Sequence, residues 1–479
     1  MGMAGLTGIL LSGCAPGITS GKKPNHRNLV FISIDTLRAD HLGCYGYRRN
    51  TSPNIDAFAK NNIVFENFFT VVPKTSPSMT SFFTGRYIQH HGVLSNRLKL
   101  QGSIVSLAEL LPEAHKKAAF VCQHGLSRVL GYRGFDLGSH ILTSQGAITG
   151  QAIEYLKGIK DAENFFLWLH YIDPHGPYTP PPEFHEMFVH DSFYDGSRKV
   201  SLNYTPSPGY NANYVLDGQV AVPRYIRQGD IDEVDYYIAQ YDAEIRYTDS
   251  EVGKVLDYVK TREFAHDTII AISADHGESL GENDYYFGHG KLVNEGNIRI
   301  PLIISHPEVG EPLRIRSLLQ NTDFAPTMLA EFGLEFPGEI DGIDFSALYK
   351  KKDAAGKLRD YIYSCTPHEY PHFFETIRTE NQKFIHGFAT EKVGELLLEM
   401  ERKDDKDIYS FHDVSNHTLD DDGGVPLSEV PQETIEKYVG LLKNFGLGAQ
   451  KPTRETAVDD SQLPQDIKEN LKALGYINS

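Results

Sequence analysis

The residues of this sequence best suited to chemistry stand at the ends of apolar runs. "NLVFISID" (28–35) delivers Asp35, "AAFVCQH" (118–124) His124 and "NFFLWLHYID" (164–173) Asp173. "TIIAISADH" (268–276) delivers Asp275 and His276, and "IPLIISHP" (300–307) His306. Asp35, Asp275 and His276 brought together are two carboxylates and an imidazole, a ligand set for one divalent cation. A second kind of reactive group lies in "VVPKTSPSMTSFFTG" (71–85), where Thr75, Ser76 and Ser78 surround Pro77 in what reads as the first turn of a helix. Proline is tolerated there, and the unpaired amides of that turn favour an anion. A hydroxyl at such a place, ligated to a cation, loses proton affinity and becomes a nucleophile near neutral pH. Position alone does not choose among the three, and each can equally cap the helix.

The elements that must position these groups follow from the pattern around them. The five runs are continuously apolar rather than alternating, which fits strands buried on both faces of a parallel sheet covered by helices. Helical spacing appears in "SIVSLAELL" (103–111) and in "VDYYIAQYDAEIRYTDSEVGKVLDYVK" (234–260). Strands alternating with helices predict an α/β fold, with ligands at the carboxyl ends of the strands. Residues 176–233, rich in Pro, Tyr, Asn, Asp and Gly, read as an insertion lying over the site. From 351 to 479 the character changes: "DYIYSCTPHEY", "ETIRTENQKFIHGF" and "VGELLLEME" read as short antiparallel strands, followed by the acidic loop "DDDGG" and a last helical segment. This predicts a small C-terminal α+β subdomain behind a catalytic domain of residues 28–350.

Composition narrows the function. The 479 residues carry a formal net charge of −18 and no basic stripe, so a nucleic-acid partner is not expected. Residues 1–27 form a short apolar run ending Leu11-Ser12-Gly13-Cys14, then a polar linker; the run is too short to span a bilayer as a mature helix. Its end resembles a bacterial lipobox, which implies export and a lipid anchor on Cys14. Cys44, Cys122 and Cys365 are too scattered for a disulfide framework or a CxxC metal site, and Cys122 reads as a packed apolar residue. His115, His185, His190, His372 and His417 have no motif around them and read as surface residues.

Over residues 28–350 the chain resembles the sulfatase branch of the alkaline phosphatase superfamily. The resemblance rests on "SIDTLRADHLGCYGY", "TSPNIDAFA", "TSPSMTSFFTGRY", "HHGV", "HYIDPHGPY", "YDAEIRYTDSEVGKVL", "SADHGESLGE", "GHGKLVNEGNIRIPLII" and "NTDFAPTMLAEFGL" in that order, with "LKALGY" near the end. It implies an alkaline-phosphatase-like sandwich with a large, mostly parallel sheet. Against the family's Cys/Ser-x-Pro-Ser-Arg, Pro77 and Ser78 fix the register and put the nucleophile on Thr75. Threonine is not converted to formylglycine, and Met79 replaces the arginine, so no formylglycine is expected. Superfamily relatives that use an unmodified Thr act on phosphate esters. A phosphoester is therefore the favoured substrate, with a sulfuric ester, or an inactive glycan-binding role, as alternatives.

Other departures bear on the site. The family's paired Asp is Asp35-Thr36 here, and its Asp-Asn pair is Asp275-His276, a change that suits Mn²⁺ or Zn²⁺ better than Ca²⁺. The resemblance implies one metal held by Asp35, Thr75, Asp275 and His276; a second on Asp173, His175 and His289 is less in keeping with the spacing. The family's "GKWHLG" aligns with "CQHGLSRVLG", which lacks the lysine, and the lysine of its "GKG" turn becomes His289, the candidate general acid. His175, His170 and Lys291 fall where the family contacts substrate, although for His170, Asp173 and His91 a hydrogen bond to another site residue is an equal reading. The ester's alcohol, whether small molecule, glycan or lipid, is left open.

Overall fold

The computed structural model describes residues 27–121, 126, 130, 133–139, 144–202, 221–351, 356–369, 372–392, 400–414 and 424–445. Expectations placed on Cys14, Cys122, His124 and His417 fall outside them. The central strand, Asn28–Ile34, is buried along its whole length and runs parallel to Phe165–Tyr171 on one side and Thr268–Ala274 on the other. Ile34 lies opposite both Tyr171 and Ala274, so Asp35 and Asp275 leave the sheet at the same edge. The Asp35 N–H donates to the Tyr171 carbonyl at 2.9 Å and holds that edge in line.

The full sheet has eight strands, in the order Leu313–Ile315, Ile63–Phe65, Leu302–Ser305, Thr268–Ala274, Asn28–Ile34, Phe165–Tyr171, Lys116–Val121 and Leu137–Ser139. Every ladder is parallel except the two made by Leu302–Ser305. That reversal corrects one expectation. His306 ends an antiparallel strand, so it emerges at the edge away from Asp35, where it meets Glu331 Oε2 at 3.1 Å.

Helices cover the sheet. Val234–Lys260 spans the range its spacing predicted and packs against Gln145–Lys157 and Pro53–Ala59. In the 103–111 stretch only Leu107–Leu110 is helical. Ser106 and Glu109 form a capping box, so no earlier residue joins the helix. Leu111 precedes Pro112 and is extended, the conformation a residue before proline is pushed into. The C-terminal subdomain is a four-stranded antiparallel sheet, Ile362–Cys365, His372–Arg378, Gln382–Lys392 and Met400–Asp413, with the helix Gln432–Leu442 against it. The strand expected over 393–401 is described only from Met400 onward. His115 and His372 are buried rather than on the surface: His115 packs on the Phe332 ring and His372 beside Phe374. Among the described residues no helix is long and apolar enough to cross a membrane.

The subdomain is sewn to the catalytic sheet near the nucleophile helix. The Cys365 N–H donates to the Val71 carbonyl at 2.9 Å, and the Ser364 hydroxyl to the Thr70 carbonyl at 2.7 Å. Further along the seam, buried Glu295 takes Arg378 Nε at 3.2 Å and Lys383 Nζ at 3.4 Å, with the Arg378 guanidinium 4.5 Å over the Phe69 ring.

Candidate active site

The parallel register delivers the first group of site residues. Asp35, His170 and Asp275 each present a ligand atom, all within 4.8 Å of one another, and all three side chains are fully buried. Asp275 Oδ2 and His170 Nε2 have no hydrogen-bond partner among the described residues. Polar atoms buried in that state are costly unless something binds them. Burial and the neighbouring Asp35 push the Asp275 carboxyl well above the usual carboxylate range. His170 is held at Nδ1 by the Ser33 hydroxyl at 2.8 Å, which also accepts from Trp168 Nε1 at 2.9 Å. His170, read as a substrate contact, is thus placed with the carboxylates, its Nε2 3.7 Å from Asp35 Oδ2.

His276 joins them from the next position after Asp275. Its Nδ1 lies 2.9 Å from the Gly277 carbonyl, so that nitrogen carries the proton and Nε2 is bare. Nε2 lies 3.4 Å from Asp275 Oδ2, 3.7 Å from Asp35 Oδ1 and 3.2 Å from Thr75 Oγ1. Burial and the nearby cationic groups keep its pKa well below the ordinary histidine value.

The helix Thr75–Thr84 supplies the hydroxyl. The choice left open by position is narrowed by partners. Ser78 Oγ donates to the Asp275 carbonyl at 2.6 Å and sits 2.9 Å from Thr70 Oγ1, so it is spent on structure. Thr75 Oγ1 instead donates to the bare Nε2 of His276. His91, further along, bonds Ser81 Oγ at 3.0 Å and accepts from the Val93 N–H, inside the packing of that helix.

Across the pocket, the His289 ring lies 4.3 Å from that of His276 and 5.2 Å from that of His175, and its Nδ1 is 3.1 Å from Glu278 Oε1. Burial, then His276 and Lys74, drive its pKa well below the ordinary value. His175 donates from Nδ1 to the Gly176 carbonyl at 2.7 Å, and burial lowers its pKa to about 4. Lys291 is lowered to about 8 by burial and by Lys74. Asp173 instead hydrogen-bonds Gln145 through its side chain and accepts the Thr248 hydroxyl on its carbonyl at 3.1 Å, and burial raises its carboxyl to about 6. Asp173, His175 and His289 therefore do not gather as a second metal group; the described residues hold one. Sequence reasoning missed Lys74 and Glu278. Each adjoins a motif residue, Lys74 directly before Thr75 and Glu278 two after His276, and proximity in the chain was the available signal.

A hydroxyl-bearing helix mouth facing buried acids and imidazoles, at the carboxyl edge of a helix-covered sheet, is the layout of an ester hydrolase of the alkaline phosphatase superfamily. The sequence profile of the sulfatase family matches residues 27–334, and that of the N-sulphoglucosamine sulphohydrolase C-terminal region matches 281–419. This chain belongs to the sulfatase family. It is 24% identical over 403 residues to an ulvan-active sulfatase of Formosa agariphila, covering 76% of this chain and 73% of that one. It is also 24% identical over 464 residues to an N-acetylglucosamine-6-O-sulfatase of Bacteroides thetaiotaomicron, covering 80% and 82%. A solved structure bound to D-glucosamine-2-N,6-O-disulfate superposes with TM-score 0.69 at 21% identity, over 88% of this chain and 97% of that one. A phosphonate monoester hydrolase of Agrobacterium radiobacter superposes with TM-score 0.65 at 16% identity, over 88% and 94%. At those identities the two superpositions speak for the fold.

Proposed function

We propose that this chain hydrolyses a phosphate ester with Thr75, unmodified, as the nucleophile. The observation that carries the reading is Thr75 Oγ1 at the rim of the Asp35–His170–Asp275–His276 cluster, 3.2 Å from a bare imidazole nitrogen. The unpartnered Asp275 Oδ2 and His170 Nε2 fit that cluster to a single divalent cation, with two oxygen and two nitrogen donors that favour Mn²⁺ or Zn²⁺. When bound, such an ion neutralises the acids, draws charge from the ester and lowers the proton affinity of the Thr75 hydroxyl.

The residues do the rest. Thr75, its proton lost to solvent, forms the new bond to phosphorus as the bond to the alcohol breaks. His175 and Lys291 hold the non-bridging oxygens. His289 gives its proton to the departing oxygen; burial, then His276 and Lys74, disfavour that proton in the empty pocket, and the anionic ester offsets the cationic part of that pressure. Water, activated by His289 in reverse, then cleaves the phospho-Thr75 bond. Phosphate is favoured because Thr75 bears one oxygen on Cβ. The route by which a formylglycine hydrate expels sulfate needs two.

A sulfuric ester is the second reading, favoured by the family profile and by relatives named as sulfatases. Aryl phosphate mono- and diesters assayed beside an aryl sulfate on the metal-loaded protein decide between them. Preference for the sulfate, lost in Thr75→Ala, overturns the phosphoester reading. Lipid attachment at Cys14 and export to the membrane surface belong to the same proposal, supported by the sequence alone. Failure of the full-length chain to incorporate labelled fatty acid, with Cys14→Ser unchanged, removes it.

A further inference from the structure

The edge strand Leu313–Ile315 runs out into Arg316, Ser317 and Leu318, and there the sheet meets the tip of a hairpin from the C-terminal subdomain. Between them lies a cavity of about 890 Å³, within the size range of small-ligand pockets. None of the residues around it belongs to the candidate active site. The hairpin wall is preformed. The Thr379 N–H donates to the Gln382 carbonyl at 2.8 Å, the Gln382 N–H to Thr379 Oγ1 at 3.0 Å, and the Tyr438 hydroxyl to Gln382 Oε1 at 3.1 Å. Buried Arg378, just before this tip, donates from Nη1 to the Thr379 carbonyl at 2.7 Å. On the sheet side Ser317 is buried, and its Oγ has no hydrogen-bond partner among the described residues. A hydroxyl buried in that state costs free energy unless a bound group answers it.

The lining carries four cationic side chains, Arg316, Lys357, Arg359 and Lys437, against two carboxylates, Asp360 and Glu380. That balance is the reverse of the whole chain, which holds 46 Lys and Arg against 64 Asp and Glu. Two of the four are committed. Arg359 gives Nη1 to Gln320 Oε1 at 3.0 Å and Nη2 to Asp323, and Arg316 gives Nε to Glu66 Oε2 at 3.0 Å. Lys357 pairs with Asp360, but both side chains are well exposed, so the pair is weak and readily exchanged. Lys437 makes no ion pair among the described residues, although its field reaches Asp360. Two lysines are thus open to an incoming anion. Leu318, Leu441 and the rings of Tyr361 and Tyr438 add apolar surface beside them. An inorganic oxyanion would leave that surface bare, and a neutral apolar molecule would leave the lysines unanswered. We propose that this cavity is a second ligand site, taking a small organic anion. Lys357 and Lys437 meet its phosphate, sulfate or carboxylate group, the tyrosines and leucines its apolar body, and Ser317 a polar atom. The proposal holds whichever ester the active site cleaves.

Calorimetric titration of the metal-loaded full-length protein tests it. The probes are phenylphosphonate, benzenesulfonate and benzoate, none of which has an ester to cleave, with benzyl alcohol as the neutral control. The same titrations on His175→Ala/Lys291→Met, which removes anion contacts from the active site, isolate the second site. At least one of the three anions is expected to bind that form, and the tightest names the preferred acid group. Lys357→Glu/Lys437→Glu, introduced there and in the wild type, is expected to weaken the Kd of that anion by about tenfold or more. Both lysines are exposed, so the charge-reversed protein is expected to keep the Tm of its parent. Ser317→Ala is expected to weaken Kd by about threefold or more while Tm stays level or rises, because the lost hydroxyl has no partner among the described residues. A purely structural serine would give the opposite, a lower Tm and the same Kd. Three results each overturn the proposal: no binding of any of the three anions up to about 10 mM, benzyl alcohol binding as tightly as the anions, or a Kd indifferent to the lysine reversal or to Ser317→Ala.

Discussion

His289→Ala is the most exacting test of the chemistry, because a general acid matters only in proportion to how badly the leaving group needs a proton. His289 lies against His276 at 4.3 Å and is fixed through Nδ1 by Glu278, which leaves Nε2 as the nitrogen able to serve the departing oxygen. General acid catalysis supplies roughly 10²–10⁴ in rate, or about 2.7–5.4 kcal/mol of barrier. A sugar or alkyl oxygen leaving as alkoxide requires all of that; a p-nitrophenolate leaves as a stable anion and requires almost none. The variant is therefore expected to lose about 10²–10⁴ in kcat on an alkyl ester and less than about tenfold on the nitrophenyl ester. The pH profile follows the same logic. The acid must carry its proton, so wild-type turnover of the alkyl ester falls as pH rises through the pKa of His289 in the complex, and this limb disappears in the variant. Steady-state kinetics on both esters from pH 5 to 9, at saturating metal, measure it. A common loss on both leaving groups would refute the reasoning, since His289 would then be serving the anion or the packing of His276.

Thr75→Ala is expected to retain bound metal by elemental analysis while losing at least about 10³ in kcat, since the buried acids and imidazoles remain but the attacking oxygen is gone; wild-type turnover in the variant would move the nucleophile elsewhere. Chelation is expected to make thermal stability more dependent on pH. Asp275 is raised above its unfolded value by burial and Asp35, so the metal-free fold holds a proton the unfolded chain releases, and its stability falls as pH rises through the folded pKa. The melting difference between loaded and chelated protein should therefore widen from pH 5 to 8, and a constant difference counts against a metal on Asp275. Glu295→Ala strands Arg378 and Lys383 inside the seam and is expected to cost about 3–5 kcal/mol by denaturant titration, far more than removal of an exposed pair such as Lys199–Asp232.

What the sequence made legible was whatever is governed by local pattern. Continuous apolar runs announced the central strands because their burial on both faces leaves no room for alternation, and Val234–Lys260 declared its bounds through helical spacing. The partnership of Asp35 with Asp275 followed from both ending such strands. His306 was misplaced because strand direction is decided by how a connection returns to the sheet, and nothing within "IPLIISHP" encodes that. His115 and His372 looked like surface residues because an imidazole is apolar enough to pack when its neighbours are aromatic, and those neighbours come from distant segments. The contact of Glu369 with Lys74 and Asn96 was invisible for a stronger reason: Glu369 reaches them from another subdomain, across nearly three hundred residues of chain.

A protein with a formal charge of −18 is poorly suited, on average, to binding an anionic ester. The pocket opposes that field locally with Lys74 and Lys291, although Glu278 also faces His289 at 3.1 Å. The acids, Asp35 and Asp275, lie behind Thr75 and are buried where only a cation can relieve them. The cationic groups, Lys74 and Lys291, act together across the pocket, each depressing the pKa of His289. Placing an ion on the acids lifts their repulsion of the ester, and the ester against the lysines offsets the cationic part of the pressure on His289, of which burial is the largest cause. On the proposed mechanism, the arriving anion therefore favours a proton on His289 at the moment there is a leaving group to receive it.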